Sequence, residues 1–124
     1  MGLSMKKKYL ILGVALLSIA GCKKQTVLTP LPVEQIPATM ETAFKQANTE
    51  AKAMSDEIIA AWQKQDAERA ILQAQTLCAK TELTPEQRAA ATRAWMSMQQ
   101  QMQAAADKGD AYASEALRRI RATK

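Results

Sequence analysis

The sequence contains no histidine, two cysteines, four glycines and one phenylalanine among 124 residues. Without histidine, the chain lacks the side chain that titrates near neutrality and the commonest nitrogen ligand for metals. Four scattered glycines provide no loop of the kind that cradles phosphate, which removes nucleotide chemistry. Aromatic residues make up 4% of the chain, too few to build a sugar cleft around a pair of carboxylates. These absences argue against an enzyme, and no catalytic, cofactor-binding or metal-binding residue is expected.

What is present is concentrated first at the N-terminus. Lys6, Lys7 and Lys8 precede an uncharged, apolar run from Tyr9 to Ile19 in which Ser18 is the one hydroxyl beside Tyr9. Eleven helical residues rise about 16 Å, half of a hydrocarbon core, so the run reads as the hydrophobic region of a signal peptide rather than a membrane span. It ends in Ser18-Ile19-Ala20-Gly21-Cys22, two small residues directly before a cysteine. This segment resembles the lipobox of bacterial lipoproteins. The resemblance covers residues 1–22 and implies that Cys22 is acylated, that residues 1–21 are removed, and that no spanning helix is needed for attachment. It also implies a body outside the cytoplasm, in the cell envelope. In the sorting pattern of such proteins, Lys23 after the cysteine, rather than aspartate, favours the outer membrane where one exists.

The charge balance changes once the leader is set aside. Of 17 basic residues, the three before Tyr9 go with the leader, leaving 14 against 12 acidic ones, about +2. The basic character of the whole chain is therefore no sign of nucleic acid, and the expected partner is the membrane, through the lipid.

Residues 22–38 read as a lipidated cysteine and an extended tether. Pro30, Pro32 and Pro37 fall within eight residues, removing amide donors and biasing their neighbours toward extended backbone. The alternative for this segment is an arm packed on the body through Val27, Leu28, Leu31 and Val33, and the pattern leaves both open.

Residues 39–124 form the predicted helical body. Met40, Phe44, Ala47, Ala51, Met54, Ile58 and Ala61 recur at spacings of four and three, with Thr39 as the predicted N-cap. A shifted seam of Ala67, Ile71, Ala74 and Cys78 follows, so the spacing predicts one long helix over 39–80, bent or interrupted around Gln65. Thr84-Pro85-Glu86-Gln87 has the form of a capping box and predicts a second helix over 85–108. Lys108-Gly109 closes that helix, and Asp110 caps a third over 110–122. The fold class is all-α, a long helical hairpin or small bundle. Trp62, Trp95, Phe44, Ile58, Ile59, Ile71, Leu72 and Leu77 are the predicted anchors of a thin, alanine-rich core, which makes a homo-oligomer an open possibility.

Candidate chemistry in the body gives way to packing. Met98 and Met102 continue an apolar seam while Met96 points elsewhere, so a copper(I) thioether site is not expected. Cys78 becomes a lone thiol once Cys22 is acylated, with no histidine to activate it. Glu57, Glu68, Glu82 and Glu86 read as solvated helix surface. The basic end, Arg118, Arg119, Arg121 and Lys124, could dock anionic surfaces but reads more simply as cations at a helix C-terminus, with Glu115 reaching Arg119. There is limited similarity to the murein lipoprotein in the acylated cysteine, the heptads and Lys124. The prolines, the turn at Thr84 and the Ala-Thr before Lys124 depart from it and weigh against attachment to peptidoglycan. The expected role is that of an anchored envelope lipoprotein with a non-catalytic helical body, structural or engaging an envelope protein partner. The alternative is an accessory or inhibitor module of a specific envelope enzyme or secretion machine.

Overall fold

The computed structural model describes residues 27–123, which form five α-helices and no strand. A 3-10 turn, Val33–Gln35, leads into α1 (Ile36–Ala43). Then come α2 (Thr49–Gln63), α3 (Ala67–Cys78), α4 (Pro85–Asp107) and α5 (Ala111–Ala122). Each of α2 to α5 packs on the helix before it, while α1 returns to lie against α4 as well as α2. Helix α4, 23 residues and about 34 Å long, is thus the spine, touching α1, α3 and α5.

Local capping explains where four of the helices begin. Asn48 accepts the Ala51 amide at 2.8 Å, Asp66 that of Arg69 at 3.4 Å, and Asp110 that of Ala113 at 3.0 Å. At α4 both halves of the box are made: the Thr84 hydroxyl accepts from the Gln87 amide and the Gln87 side chain accepts from the Thr84 amide, each at 3.1 Å. The C-terminus of α3 is closed from outside. Arg88 donates one guanidinium nitrogen to the Cys78 carbonyl and the other to that of Lys80, both at 2.9 Å, satisfying oxygens that the helix cannot.

The expected long helix over 39–80 is three helices. It breaks first between Phe44 and Asn48 and again at Lys64 to Asp66, where Gln65 takes a left-handed φ of 65°. The first break went unseen because Phe44, Ala47 and Ala51 keep facing the core on both sides of it. Nor does Thr39 cap a helix, since α1 starts at Ile36. Pro37 lies in its first turn, where a missing amide costs no hydrogen bond.

From Thr29 onward the proline segment is a packed arm rather than a free spacer, while Val27, also named for that arm, is 79% exposed. Leu31 and Ile36 are buried, the Leu31 amide donates to the Arg93 carbonyl at 3.4 Å, and Arg93 Nε donates to the Thr29 carbonyl at 2.8 Å. Residues 22–26 lie outside the described residues.

The core is built on few large side chains: Phe44, Ile36, Met40, Ile58, Ile71, Leu77, Met98 and Ile120 are fully buried. Trp62, Trp95 and Leu72, expected as anchors, are only partly buried and pack on the outside of that cluster. Alanines at 70, 74, 91, 94 and 116 have no exposure, which lets neighbouring helices approach closely at the expense of buried area per residue.

Candidate functional site

Cys22, the expected lipidation residue, and the expected leader, residues 1–21, lie outside the described residues. The structure instead fixes where the chain coming from Cys22 meets the body. That point is Thr29, held on the middle of α4 by Arg93.

Cys78 ends α3 as a free, partly buried thiol. Burial pushes its pKa up, and the Thr92 hydroxyl 3.8 Å from the sulfur and the Arg88 charge only partly offset that. It shares a depression of about 310 Å³ with Gln75, Ala79, Thr92 and Trp95. No general base faces the thiol there. Met98 and Met102 are buried in the α4 core face, while Met96 lines a different depression beside Leu117 and Ile120. Among the described residues, no three histidine, cysteine or acidic side chains gather where they could hold a metal.

The candidate carboxylates are not brought together. Glu68 is engaged by Arg119, Glu82 lies 4.0 Å from Lys80, and Glu86 stands at the start of α4. Lys80 also reaches Glu50 at 3.1 Å, tying the loop after α3 to the start of α2.

Of the basic end, Lys124 lies outside the described residues, and the three arginines are engaged within the chain. Arg118 pairs with Glu115 at 2.5 Å and Arg121 donates to the Gln103 side chain at 2.9 Å. Arg119 takes both oxygens of Glu68, with Nε at 2.9 Å and Nη2 at 2.8 Å, and also lies 3.4 Å from Glu115. The Glu115 contact follows from i,i+4 spacing, whereas the Glu68 contact spans 51 positions and carries no local signature. Guanidinium groups already bound to carboxylates have less to offer an anionic surface.

A broad recess lies elsewhere, between α1 and α4. It encloses about 480 Å³ over Ala38, Thr39, Thr42 and Ala43 on one side and Glu86, Ala89, Ala90 and Arg93 on the other. Sequence reasoning missed it, although 86, 89, 90 and 93 already share one face at i, i+3, i+4 and i+7. The apolar seam read there, the one that Met98 and Met102 continue, runs beside this stripe and hid it.

No family model, curated protein or solved structure matches the chain. Any functional reading therefore rests on this chain's own residues.

Proposed function

We propose that the chain is a bacterial envelope lipoprotein, anchored by acylated Cys22, whose helical body works through protein contacts rather than catalysis. The observation that carries this reading is the order of three signals: Lys6 to Lys8, the apolar run to Ile19, and Ala20-Gly21 directly before Cys22. None of the described helices is long and apolar enough to cross a membrane, so the proposed attachment rests on the lipid. The packed arm refines the picture. Seven residues from Cys22 to Thr29 span at most about 24 Å, which would hold the body close to the head groups rather than far out on a spacer. Lys23 in place of aspartate supports an outer-membrane destination where there is one.

The test is the intact mass of the protein extracted from membranes of cells that make the full chain. The expected species begins at Cys22 and carries diacylglycerol, and Cys22→Ser leaves an unlipidated precursor that still bears the leader. An unmodified Cys22 in the wild-type membrane fraction would refute the anchor.

A further inference from the structure

We propose that two copies of this chain pair through the recess between α1 and α4, with the two α4 helices antiparallel and a twofold axis passing between Ala89 and Ala90. The inference begins with two charges. Glu86 and Arg93 stand on the same face of α4 at the rim of the recess, seven residues apart. Two helical turns separate them by about 10 Å along the axis, too far for them to pair with each other. Among the described residues neither takes part in an ion pair, and Arg93 uses only Nε, on the Thr29 carbonyl. One acidic and one basic group are thus presented outward on a helix whose other exposed face is mixed and polar.

Between these charges the surface is small and apolar. Ala89, partly exposed, and Ala90, 6% exposed, lie midway between Glu86 and Arg93 at the floor of the recess, and Ala38, Thr39, Thr42 and Ala43 of α1 form the opposite wall. Apart from Gln35, a helix seated there meets only alanine and threonine between the two charges and can approach to the short end of helix packing distances, about 8 Å between axes.

The charge order selects the partner and its direction. In a parallel in-register pair Glu86 would face Glu86 and Arg93 would face Arg93, which is repulsive. In an antiparallel pair, the register that sets Glu86 against the partner's Arg93 also sets Arg93 against the partner's Glu86, and it places Ala89 opposite Ala90. One register therefore satisfies both charge pairs and brings the smallest residues to the point of closest approach, the self-complementarity that a twofold interface needs. The thin alanine core gives this pairing a physical purpose, since a second copy buries apolar surface that the lone chain leaves open.

The pairing stands on the body alone, but it has a consequence for the anchored form. Arg93 holds the arm at Thr29, so in each protomer the chain toward Cys22 leaves near the twofold axis. Both anchors then reach one bilayer when that axis runs along the membrane normal.

The experiment uses the full chain in membranes of the producing cell, in a Cys78→Ser background so that the probe cysteine is the only thiol of the body. Ala89→Cys treated with a short bis-maleimide is expected to give a covalent dimer, while Gln63→Cys, exposed at the end of α2, gives none. In the Ala89→Cys chain, Glu86→Arg and Arg93→Glu are each expected to cut the dimer yield about tenfold, because each sets like charges together twice. Two differently tagged chains, one carrying each charge change, are expected to regain the dimer as a mixed pair, in which every opposed pair is again of unlike sign. That recovery could not come from the arm, whose Arg93 contact stays lost in one partner. Cross-linking at 89 no greater than at 63, or loss in the single variants without recovery in the mixture, would overturn the proposal. A free Cys22 would add the same cross-linking to the 89 and 63 variants, so the dimer is read as the excess at 89 over 63, and failure of the dimer and failure of the anchor are read separately.

Discussion

Gln65 and Gly109 occupy the same position in two copies of one turn. Both have left-handed backbone, φ 65° and 95°. Gln65 donates to the Trp62 carbonyl at 3.1 Å and the next residue, Asp66, to that of Ala61 at 2.9 Å; Gly109 donates to Ala106 at 2.9 Å and Asp110 to Ala105 at 3.1 Å. This is the Schellman closure, and in both turns the aspartate that completes it caps the following helix. Four helices are thereby joined in two pairs with hardly a residue to spare.

The two turns differ in what sits at the left-handed position, and the difference predicts opposite responses. A side chain there costs roughly 1–2 kcal/mol of backbone strain, against roughly 0.5–1 kcal/mol for the greater freedom of an unfolded glycine. Gln65→Gly is therefore expected to stabilise the body by about 0.5 to 1 kcal/mol. Gly109→Ala is expected to destabilise it by about 1 kcal/mol, wholly through the backbone, because an added Cβ meets nothing within 4 Å. Urea denaturation of the three proteins checks both signs, and a Gln65→Gly variant less stable than the parent would show that the glutamine side chain contributes something other than strain.

These turns also mark how far the helices could be read from the sequence. Thr84-Pro85-Glu86-Gln87 and Lys108-Gly109-Asp110 carry their geometry in residue types that suit few other conformations, and both boundaries fall where the sequence places them. The Gln65 turn has the same hydrogen bonds without the glycine, so its sequence suggested a bend or a break without deciding between them. The break before Asn48 has neither glycine nor proline, and the apolar seam runs through it undisturbed. Leu31 and Ile36 were obscured by their prolines, because burial on α4 is a tertiary fact that local propensity does not encode. The same limit hid the recess over Ala89 and Ala90, which exists only once α1 returns to α4. The leader and Cys22 are legible as a motif, and nothing in the body's folding bears on them.

Arg119 and Glu68 predict a pH dependence of stability. The bidentate contact from Arg119 holds the Glu68 carboxyl below its ordinary value, against an opposing effect of desolvation, and the Tyr112 hydroxyl accepts the Glu68 amide at 3.3 Å beside it. A carboxyl whose folded value is depressed contributes stability that is complete above its unfolded value and is lost as pH falls through the folded one. The melting temperature is therefore expected to fall as pH drops through and below the ordinary carboxylate range, and Glu68→Gln to fall less over the same interval. Glu115, lowered in the same direction by Arg118, leaves part of the slope in place in that variant. Identical slopes for parent and Glu68→Gln would mean that the contact between α3 and α5 is too well hydrated to matter.

Cys78 predicts a thiol that reacts slowly until the body opens. Its sulfur is partly buried at the end of α3, and burial is the largest influence on its pKa, directed upward. The thiolate is the reacting form, so a raised pKa and restricted access act in the same direction. Alkylation by iodoacetamide at about pH 8 is expected to be about tenfold slower in the folded protein than in urea, and to accelerate as pH rises. Thr92 allows a sharper test. Its hydroxyl donates toward the Cys78 sulfur at 3.8 Å and opposes the effect of burial, so Thr92→Val removes a donor that favours the thiolate while nearly keeping the side-chain volume. That variant is expected to react more slowly still when folded and at the parent rate when unfolded. A faster folded-state reaction in Thr92→Val would mean that the hydroxyl shields the sulfur sterically more than it stabilises the thiolate, and equal folded and unfolded rates in the parent would mean that the thiol is open to solvent.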